Sequence, residues 1–147
     1  MPVQIIATEG VIPVSEEEAL FSGVTKAFLK AHDLVGNNFM TPNIIGEFSI
    51  VPKGRTFSGG KRADLVIIET KSPSFAFESQ EQKQAFTTEV TDLVTKATGG
   101  KHPRDRIFVN MVYAVDGSWG IGGRAYTNAC LGAAIQGTTE GACATKK

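Results

Sequence analysis

The chain contains the same strand-helix-strand pattern twice, at a fixed offset of 66 residues. Five apolar residues in each half are spaced as on one face of a helix, and they match pairwise at that offset. The first set is Leu20, Val24, Ala27, Phe28 and Ala31, and the second set is Phe86, Val90, Leu93, Val94 and Ala97. This repetition predicts a duplicated unit whose halves cover about 2–52 and 63–114.

The first half is predicted to form a strand, a helix and a second strand. Residues 3–8 (VQIIAT) are rich in β-branched side chains, and glycine and proline follow them, which is typical of a strand that ends in a loop. Ser15 and Glu18 have the spacing of a capping box, so we expect a helix over 16–34. Residues 43–51 predict the second strand.

The second half repeats that order. Residues 64–70 form the most strand-like run of the chain. Ser79 and Gln82 again match a capping box at the start of a periodic helical segment. Residues 106–114 predict the last strand of the core.

Two βαβ units of this kind predict an α+β fold with one four-stranded sheet and both helices on one face. The strands are apolar at consecutive positions, as at Ile5 and Ile6, which is typical of strands that are buried on both faces. We therefore expect a second subunit to cover the free face. The glycine-rich segment 116–123 is expected to be a ribbon or loop that reaches a neighbour. One domain is predicted over 1–128, and 129–147 is expected to be a flexible or interface-packed tail.

Composition excludes several classes of partner. Fifteen basic and fifteen acidic residues balance, without a basic block, so we expect neither a nucleic-acid nor an anionic-membrane surface. No apolar stretch is long enough to span a bilayer, and the N-terminus has no secretory signal pattern, so we expect a cytoplasmic location. Cys130 and Cys143 have no metal-ligand spacing, and we predict neither a metal site nor a disulfide framework.

Pro2 immediately precedes the first strand, and removal of Met1 would make its nitrogen a secondary amine at the N-terminus. A proline is also an ordinary first residue of a strand, because it lacks an N–H. Beside an apolar wall, the charged form of such an amine is disfavoured, so its pKa falls toward neutrality. An amine of this kind can take a proton from a carbon next to a carbonyl group.

An N-terminal proline ahead of two βαβ units resembles the tautomerase superfamily, over roughly residues 2–126. The RTFSGG turn (55–60) and the DRIFVN segment (105–110) add to the resemblance, and the second is similar to a strand of the macrophage migration inhibitory factor branch. The chain is most similar to the cis-3-chloroacrylic acid dehalogenase subgroup in its Pro-Val start, its Ala-His pair at His32 and its late Gly-Arg at Arg124. The resemblance implies a cofactor-free enzyme, a homotrimer and a small carboxylate substrate.

The resemblance also implies roles for particular residues. Pro2 matches the catalytic proline, which acts as a general base in tautomerases and as a general acid in dehalogenases and hydratases. His32 matches a histidine that helps to bind the substrate's acid group, although a histidine at a helix end also interacts favourably with the helix dipole. Asn110 matches a pocket asparagine; within an apolar strand it either has a buried partner or faces a cavity.

The sequence departs from the dehalogenases where they carry two carboxylate-binding arginines after the third strand. That stretch reads TKSPSF here, and Lys71 is its one cation. Lysine binds a carboxylate as a point charge, without the two-pronged geometry of arginine, which weighs against dehalogenation. Arg55, Arg62 and Arg124 are further candidate cations for substrate, each of which is otherwise a surface charge. Asp116 is the nearest carboxylate to the family's water-activating position, or else a turn residue before a glycine.

Three functional hypotheses follow from these residues. The leading one is a tautomerase that acts on an enol or 2-oxo acid with Pro2 as base. The second is a haloacrylate dehalogenase or hydratase with Pro2 as acid. The third is a catalytically silent binding protein, which retention of Met1 would favour, because the Pro2 nitrogen would then be an amide without basicity.

Overall fold

A four-stranded mixed sheet organises the computed structural model, which describes residues 1–138 and residue 143. The strands are β1 (Pro2–Thr8), β2 (Ile45–Val51), β3 (Phe57–Ser58), β4 (Lys61–Arg62), β5 (Val66–Pro73), β6 (Ile107–Ala114), β7 (Trp119–Ile121) and β8 (Arg124–Tyr126). The helices are α1 (Val14–Ala31), α2 (Met40–Asn43), α3 (Gln80–Ala97) and α4 (Asn128–Gln136), with one 3-10 turn at Arg104–Arg106.

The sheet order is β2-β1-β5-β6. Strands β1 and β2 pair in parallel, as do β5 and β6, so each half is a βαβ unit. The two units meet through the antiparallel pair of β1 and β5, where Val3 lies opposite Thr70 and Ile5 opposite Ile68. The predicted α+β class and four-stranded sheet are confirmed, and the antiparallel junction is what the pattern alone did not specify.

The core lies between this sheet and the helices α1 and α3. Alternate residues of β1 and β5 point into it, including Val3, Ile5, Val66 and Ile68, which are at most 1% exposed. The matched helical residues meet them there; Ala31 and Leu93 are half-buried, and the others are buried. At the edge, a Cβ on Gly46 would collide with the Val3 carbonyl oxygen and the Phe21 ring, so glycine allows α1 to pack against β2.

Helix α1 differs from its prediction at both ends. It begins at Val14 after Pro13, whose ring fixes φ at −60°, so Ser15 lies inside the helix and the predicted Ser15–Glu18 capping box is wrong. It ends at Ala31 rather than at residue 34. Asp33 adopts a left-handed φ of 54°, and the Leu34 N–H donates to the Leu29 carbonyl (2.8 Å), which ends the helix ahead of the predicted glycine stop.

Helix α3 begins as predicted. The Ser79 hydroxyl accepts from the Gln82 N–H (3.1 Å), while the Gln82 side chain accepts from the Ser79 N–H (3.2 Å). These two bonds satisfy donors that the first helical turn leaves unpaired. The strands shift by a few residues: the predicted strand at 64–70 is β5 at 66–73, because pairing with β6 extends it to Pro73 opposite Ala114.

The C-terminal region contains two elements beyond the duplicated halves. Strands β7 and β8 form a hairpin in the glycine-rich segment, in which Trp119 lies opposite Tyr126. Helix α4 follows and was not predicted; the Thr127 hydroxyl accepts from the Cys130 N–H (3.1 Å) at its start. The remaining predicted tail, 139–142 and 144–147, lies outside the described residues.

Cys130 and Cys143 form a disulfide, with Cα atoms 5.3 Å apart. The prediction of no disulfide framework is therefore wrong. Two cysteines without a spacing pattern do not reveal a pairing, because the distance between them is set by the folded structure. The bond ties residue 143 to the first turn of α4, and Arg124 donates to the Cys143 carbonyl oxygen.

The sheet face opposite the helices is uncovered in the single chain. Phe108 and Val112 of β6 are each 43% exposed there, and Ile45 of β2 is 58% exposed. Polar residues such as Gln4 lie between them, and the Gln4 amide donates to Glu47 (3.2 Å). Within the described ranges, no helix is both long and apolar enough to cross a membrane.

His32 belongs to an aromatic cluster at the end of α1. Its ring stacks on Phe28, with centroids 4.2 Å apart, and meets Phe77 at 4.5 Å. Nδ1 lies 2.8 Å from the Phe28 carbonyl oxygen, and the Phe77 N–H donates to Nε2 (3.1 Å). These partners fit a neutral ring protonated at Nδ1, and burial lowers the pKa of His32 below its usual 6.5.

Stability is therefore expected to fall as the pH drops below about 6.5. In that range the unfolded chain takes up a proton at His32 that the folded chain resists, since protonation breaks the bond from Phe77. Urea midpoints measured between pH 7.5 and 5 test this. The variant H32Q can donate and accept in the same way without titrating, so it is expected to show a shallower pH dependence; equal slopes for both proteins would contradict the assignment.

Candidate active site

Pro2 is the exposed first residue of β1, at one end of the sheet. It lies opposite Ile45 of β2. A proline is tolerated there because the first residue of a strand does not need an N–H to pair with its neighbour. A cavity of about 290 Å³ opens beside it on the uncovered sheet face. Its lining residues come from three strands and are Pro2, Val3, Gln4, Ile45, Gly46, Glu47, Glu69 and Lys71.

Lys71 of β5 lines this cavity together with Pro2. The antiparallel register ends with Val3 opposite Thr70, and its continuation by one residue would bring Pro2 opposite Lys71. The Lys71 ammonium lies 3.8 Å from a carboxylate oxygen of Glu69, and its side chain is 55% exposed. Because this ion pair is long and solvated, the ammonium is available to a bound anion at little cost.

Met1 precedes Pro2 and is only 4% exposed. Its amine donates to the Asn43 carbonyl oxygen, and its own carbonyl accepts from the Ile45 N–H (3.0 Å). Burial lowers the pKa of the Met1 amine to about 6. The Met1 amine is thus poorly hydrated, and with Met1 in place the Pro2 nitrogen is an amide.

A second cavity, of about 480 Å³, joins the N-terminus to the hairpin. Met1, Pro2 and Lys71 line one side of it, and Trp119 and Ile121 of β7 line the other. Pro2 and Lys71 therefore border both cavities. The hairpin supplies an apolar wall close to Pro2, of the kind that favours a neutral amine.

The other predicted site residues lie away from these two cavities. His32 is in the aromatic cluster, with both ring nitrogens engaged by backbone groups. Asn110 is exposed on β6 opposite Glu69, so it shares the uncovered face with the first cavity without lining it. Its backbone carbonyl accepts from the buried Thr70 hydroxyl (3.5 Å).

The three arginines and Asp116 are also separate from Pro2. Arg62 is exposed on β4 of the small β3–β4 ribbon, and Arg55 is exposed just before β3. Arg124 lies 4.6 Å from the Tyr126 ring centroid, as a cation–π contact. Asp116 accepts from the Asn128 N–H (2.6 Å), so this carboxylate is engaged at the start of α4 as a turn residue.

Sequence reasoning missed the two carboxylates of the Pro2 cavity, Glu47 and Glu69. Each occupies an outward position of a strand whose neighbouring residues are apolar or buried. Alternation along the strand identifies such positions, but only the register of three strands shows that both face Pro2. In the described part of the chain, His, Cys, Asp and Glu side chains form no group of three suited to a metal ion.

Solved structures with a similar fold are tautomerase-superfamily proteins. N1, a member of the cis-3-chloroacrylic acid dehalogenase family, has a TM-score of 0.74 over 97% of this chain and 94% of its own, at 14% identity. Pt0534 inactivated by 2-oxo-3-pentynoate has a TM-score of 0.71, covering 90% and 99%, at 17% identity. A fused 4-OT solved as a symmetric trimer has 0.72, covering 90% and 99%, at 11% identity.

No family model matches the sequence, and no curated protein matches it. The similarity to solved structures is thus one of fold, at identities of 17% or less for these three proteins. It covers nearly the full length of both partners in each comparison. The chain has the fold of the tautomerase superfamily, as the resemblance at its duplicated pattern and at Pro2 implied.

Proposed function

We propose that the chain is a cofactor-free tautomerase in which Pro2, after removal of Met1, is the general base. The observation that carries this proposal is the shared cavity of Pro2 and Lys71. A carboxylate held by Lys71 would bring the neighbouring carbon of an enol or 2-oxo acid to the Pro2 nitrogen. The apolar side chains of Trp119 and Ile121 across the second cavity support a free base at neutral pH, because an apolar wall disfavours the charged form of the Pro2 amine.

The proposed reaction moves one proton between oxygen and carbon. The Pro2 nitrogen removes a proton from the substrate's hydroxyl or from the carbon beside its carbonyl, and the resulting ammonium returns it to the other atom. Lys71 neutralises the substrate carboxylate and favours the enolate charge that develops. We assign the carboxylate to Lys71 rather than to His32, because both nitrogens of His32 already have backbone partners.

We further propose that the chain is a homotrimer whose uncovered sheet face is an interface. Phe108, Val112 and Ile45 expose apolar surface on that face, and association would bury it. Asn110 lies on the same face and would then border the pocket. Arg55, Arg62 or Arg124 of a neighbouring subunit could add a positive charge to the same pocket. The symmetric trimer of fused 4-OT, which has the same fold, supports this arrangement.

Substitution of Pro2 tests the base directly. P2A keeps a small second residue and an N-terminal amine but loses the rigid secondary amine, so kcat/KM for phenylenolpyruvate ketonisation is expected to fall about 100-fold or more. Intact mass must first show that Met1 is absent from both proteins. The control P103A changes an exposed proline outside both cavities and is expected to keep full activity. An unchanged rate in processed P2A would contradict the proline mechanism.

Lys71 is expected to determine substrate affinity. K71Q removes the charge that meets the carboxylate, so KM is expected to rise about tenfold or more, while K71R restores most of the loss. The matched control is K53Q, because Lys53 pairs with Asp64 and lies outside both cavities. If steady-state kinetics show the same KM for K71Q and wild type, the carboxylate is bound elsewhere.

The oligomeric state follows from the exposed face. Light scattering after size-exclusion chromatography is expected to give three times the chain mass of 15.7 kDa. V112E places a charge on the apolar part of the face and is expected to shift the population toward monomer. A wild-type chain that remains monomeric at micromolar concentration would contradict the trimer.

Hydration of an activated acrylate is the second candidate, and Glu47 and Glu69 are the observation that favours it. Either carboxylate lies in the Pro2 cavity, where it can activate water while a protonated Pro2 acts as acid. Halide release from cis-3-haloacrylates separates this reaction from tautomerisation. If mass spectrometry instead shows that Met1 is retained, both reactions of Pro2 are excluded and the silent binding role is favoured.

The alkynyl compound 2-oxo-3-pentynoate is a suitable probe of the proposed site. It inactivates Pt0534, a protein with the same fold. Its carboxylate would meet Lys71, and its alkyne conjugated to a ketone accepts a nucleophilic amine. Covalent labelling of this chain would therefore show that its N-terminal amine is nucleophilic, and the labelled residue would show whether that amine belongs to Pro2.

A further inference from the structure

The Ser72 hydroxyl is a buried polar group without a hydrogen-bond partner among the described residues. Ser72 lies on β5 and is 0% exposed. A buried hydroxyl that lacks a partner is destabilising, so native structures rarely leave one unpaired without a reason. With Met1 in place, residues 1–138 and 143 provide no partner for it.

The strand register relates this hydroxyl to the N-terminus. Val3 lies opposite Thr70, and continuing the antiparallel pairing by two residues brings Met1 opposite Ser72. Both residues are buried and face the helices. Facing residues on antiparallel strands have Cα atoms roughly 5 Å apart. The Pro2 nitrogen is bonded to the Met1 carbonyl carbon, so it belongs to the part of β1 that this continued register places next to Ser72.

Removal of Met1 changes the polar groups around that nitrogen. The Asn43 carbonyl loses the donor it has in the Met1 amine, and the Ile45 N–H loses the Met1 carbonyl. The buried side chain of Met1 also leaves, which opens space next to Ser72. The new Pro2 amine has an N–H in both its protonated and its neutral form, and the Ser72 hydroxyl oxygen can accept from it in both states, which leaves the lone pair of the neutral amine free.

We propose that Ser72 is a positioning residue that hydrogen-bonds the Pro2 amine once Met1 has been removed. This inference rests on the proposed function, because it assigns Ser72 a part in presenting the same base. The bond fixes the direction of the nitrogen lone pair relative to the cavity. It also gives the Ser72 hydroxyl a partner, which it lacks among the described residues when Met1 is in place.

Three charged side chains face Pro2 and contribute to its titration. Lys71 and Glu69 project from β5, and Glu47 projects from β2. Residues 118–122 around β7, Asn43 of α2 and Ala114 of β6 also border the N-terminus and add no charge. Ser72 acts in addition to these charges. Because a hydroxyl binds an ammonium more strongly than a neutral amine, Ser72 raises the pKa of the Pro2 amine.

The variant S72A tests this through the titration of Pro2 followed by nitrogen NMR in proline-labelled protein. Loss of the hydroxyl is expected to lower the pKa of the Pro2 amine by about 0.5–1 unit. The matched control is T70V, because Thr70 is equally buried on β5 but its hydroxyl is bonded to the Asn110 carbonyl. T70V is expected to leave the titration of Pro2 unchanged.

A Pro2 pKa that is the same in S72A as in wild type, or that moves equally in T70V, would overturn the proposal. S72C keeps a weak hydrogen-bonding group of similar size and is expected to lower the pKa of the Pro2 amine by an intermediate amount. It replaces S72A as the test if S72A folds poorly. Failure of the proposed function has a different signature. In that case Pro2 in the processed protein shows no tautomerase activity, whether or not Ser72 alters its titration.

Discussion

The antiparallel pairing of β1 with β5 determines where every proposed functional group lies. It joins the two βαβ units at the middle of the sheet and aligns Val3 with Thr70. Through that register, Pro2 comes to the cavity with Lys71 and Glu69, and Ser72 comes to the buried side of the N-terminus. A shift of one residue would exchange the two faces of β5 and move the cation into the core.

The two faces of this strand pair have different chemistry. On the helix side, Val3, Ile5 and Ile68 pack at 0–1% exposure and hold the strands rigidly. On the other side, Gln4, Glu47, Glu69 and Lys71 form a polar patch beside exposed apolar residues. A base attached to the end of such a strand loses little entropy when it meets substrate, because packing on the first face has already ordered it.

The sequence predicted those features that depend on local pattern. Helical periodicity identified the helix residues that form the core, and the Ser79–Gln82 capping box marked the start of α3. The same signal failed at Ser15, because Pro13 begins the helix earlier. Resemblance suggested Lys71, whereas Glu47, Glu69 and the disulfide were missed. Those features depend on strand register or on a chain reversal, which neighbouring residues do not encode.

The central claim is that the Pro2 nitrogen is a free, nucleophilic amine beside Lys71. Peptide mass spectrometry after incubation with 2-oxo-3-pentynoate tests it most directly. We expect one covalent adduct on the nitrogen of Pro2 in a chain that lacks Met1, formed more slowly in K71Q. An adduct on Lys71 or another side chain with Pro2 unmodified, or a chain that retains Met1 and does not react, would contradict it.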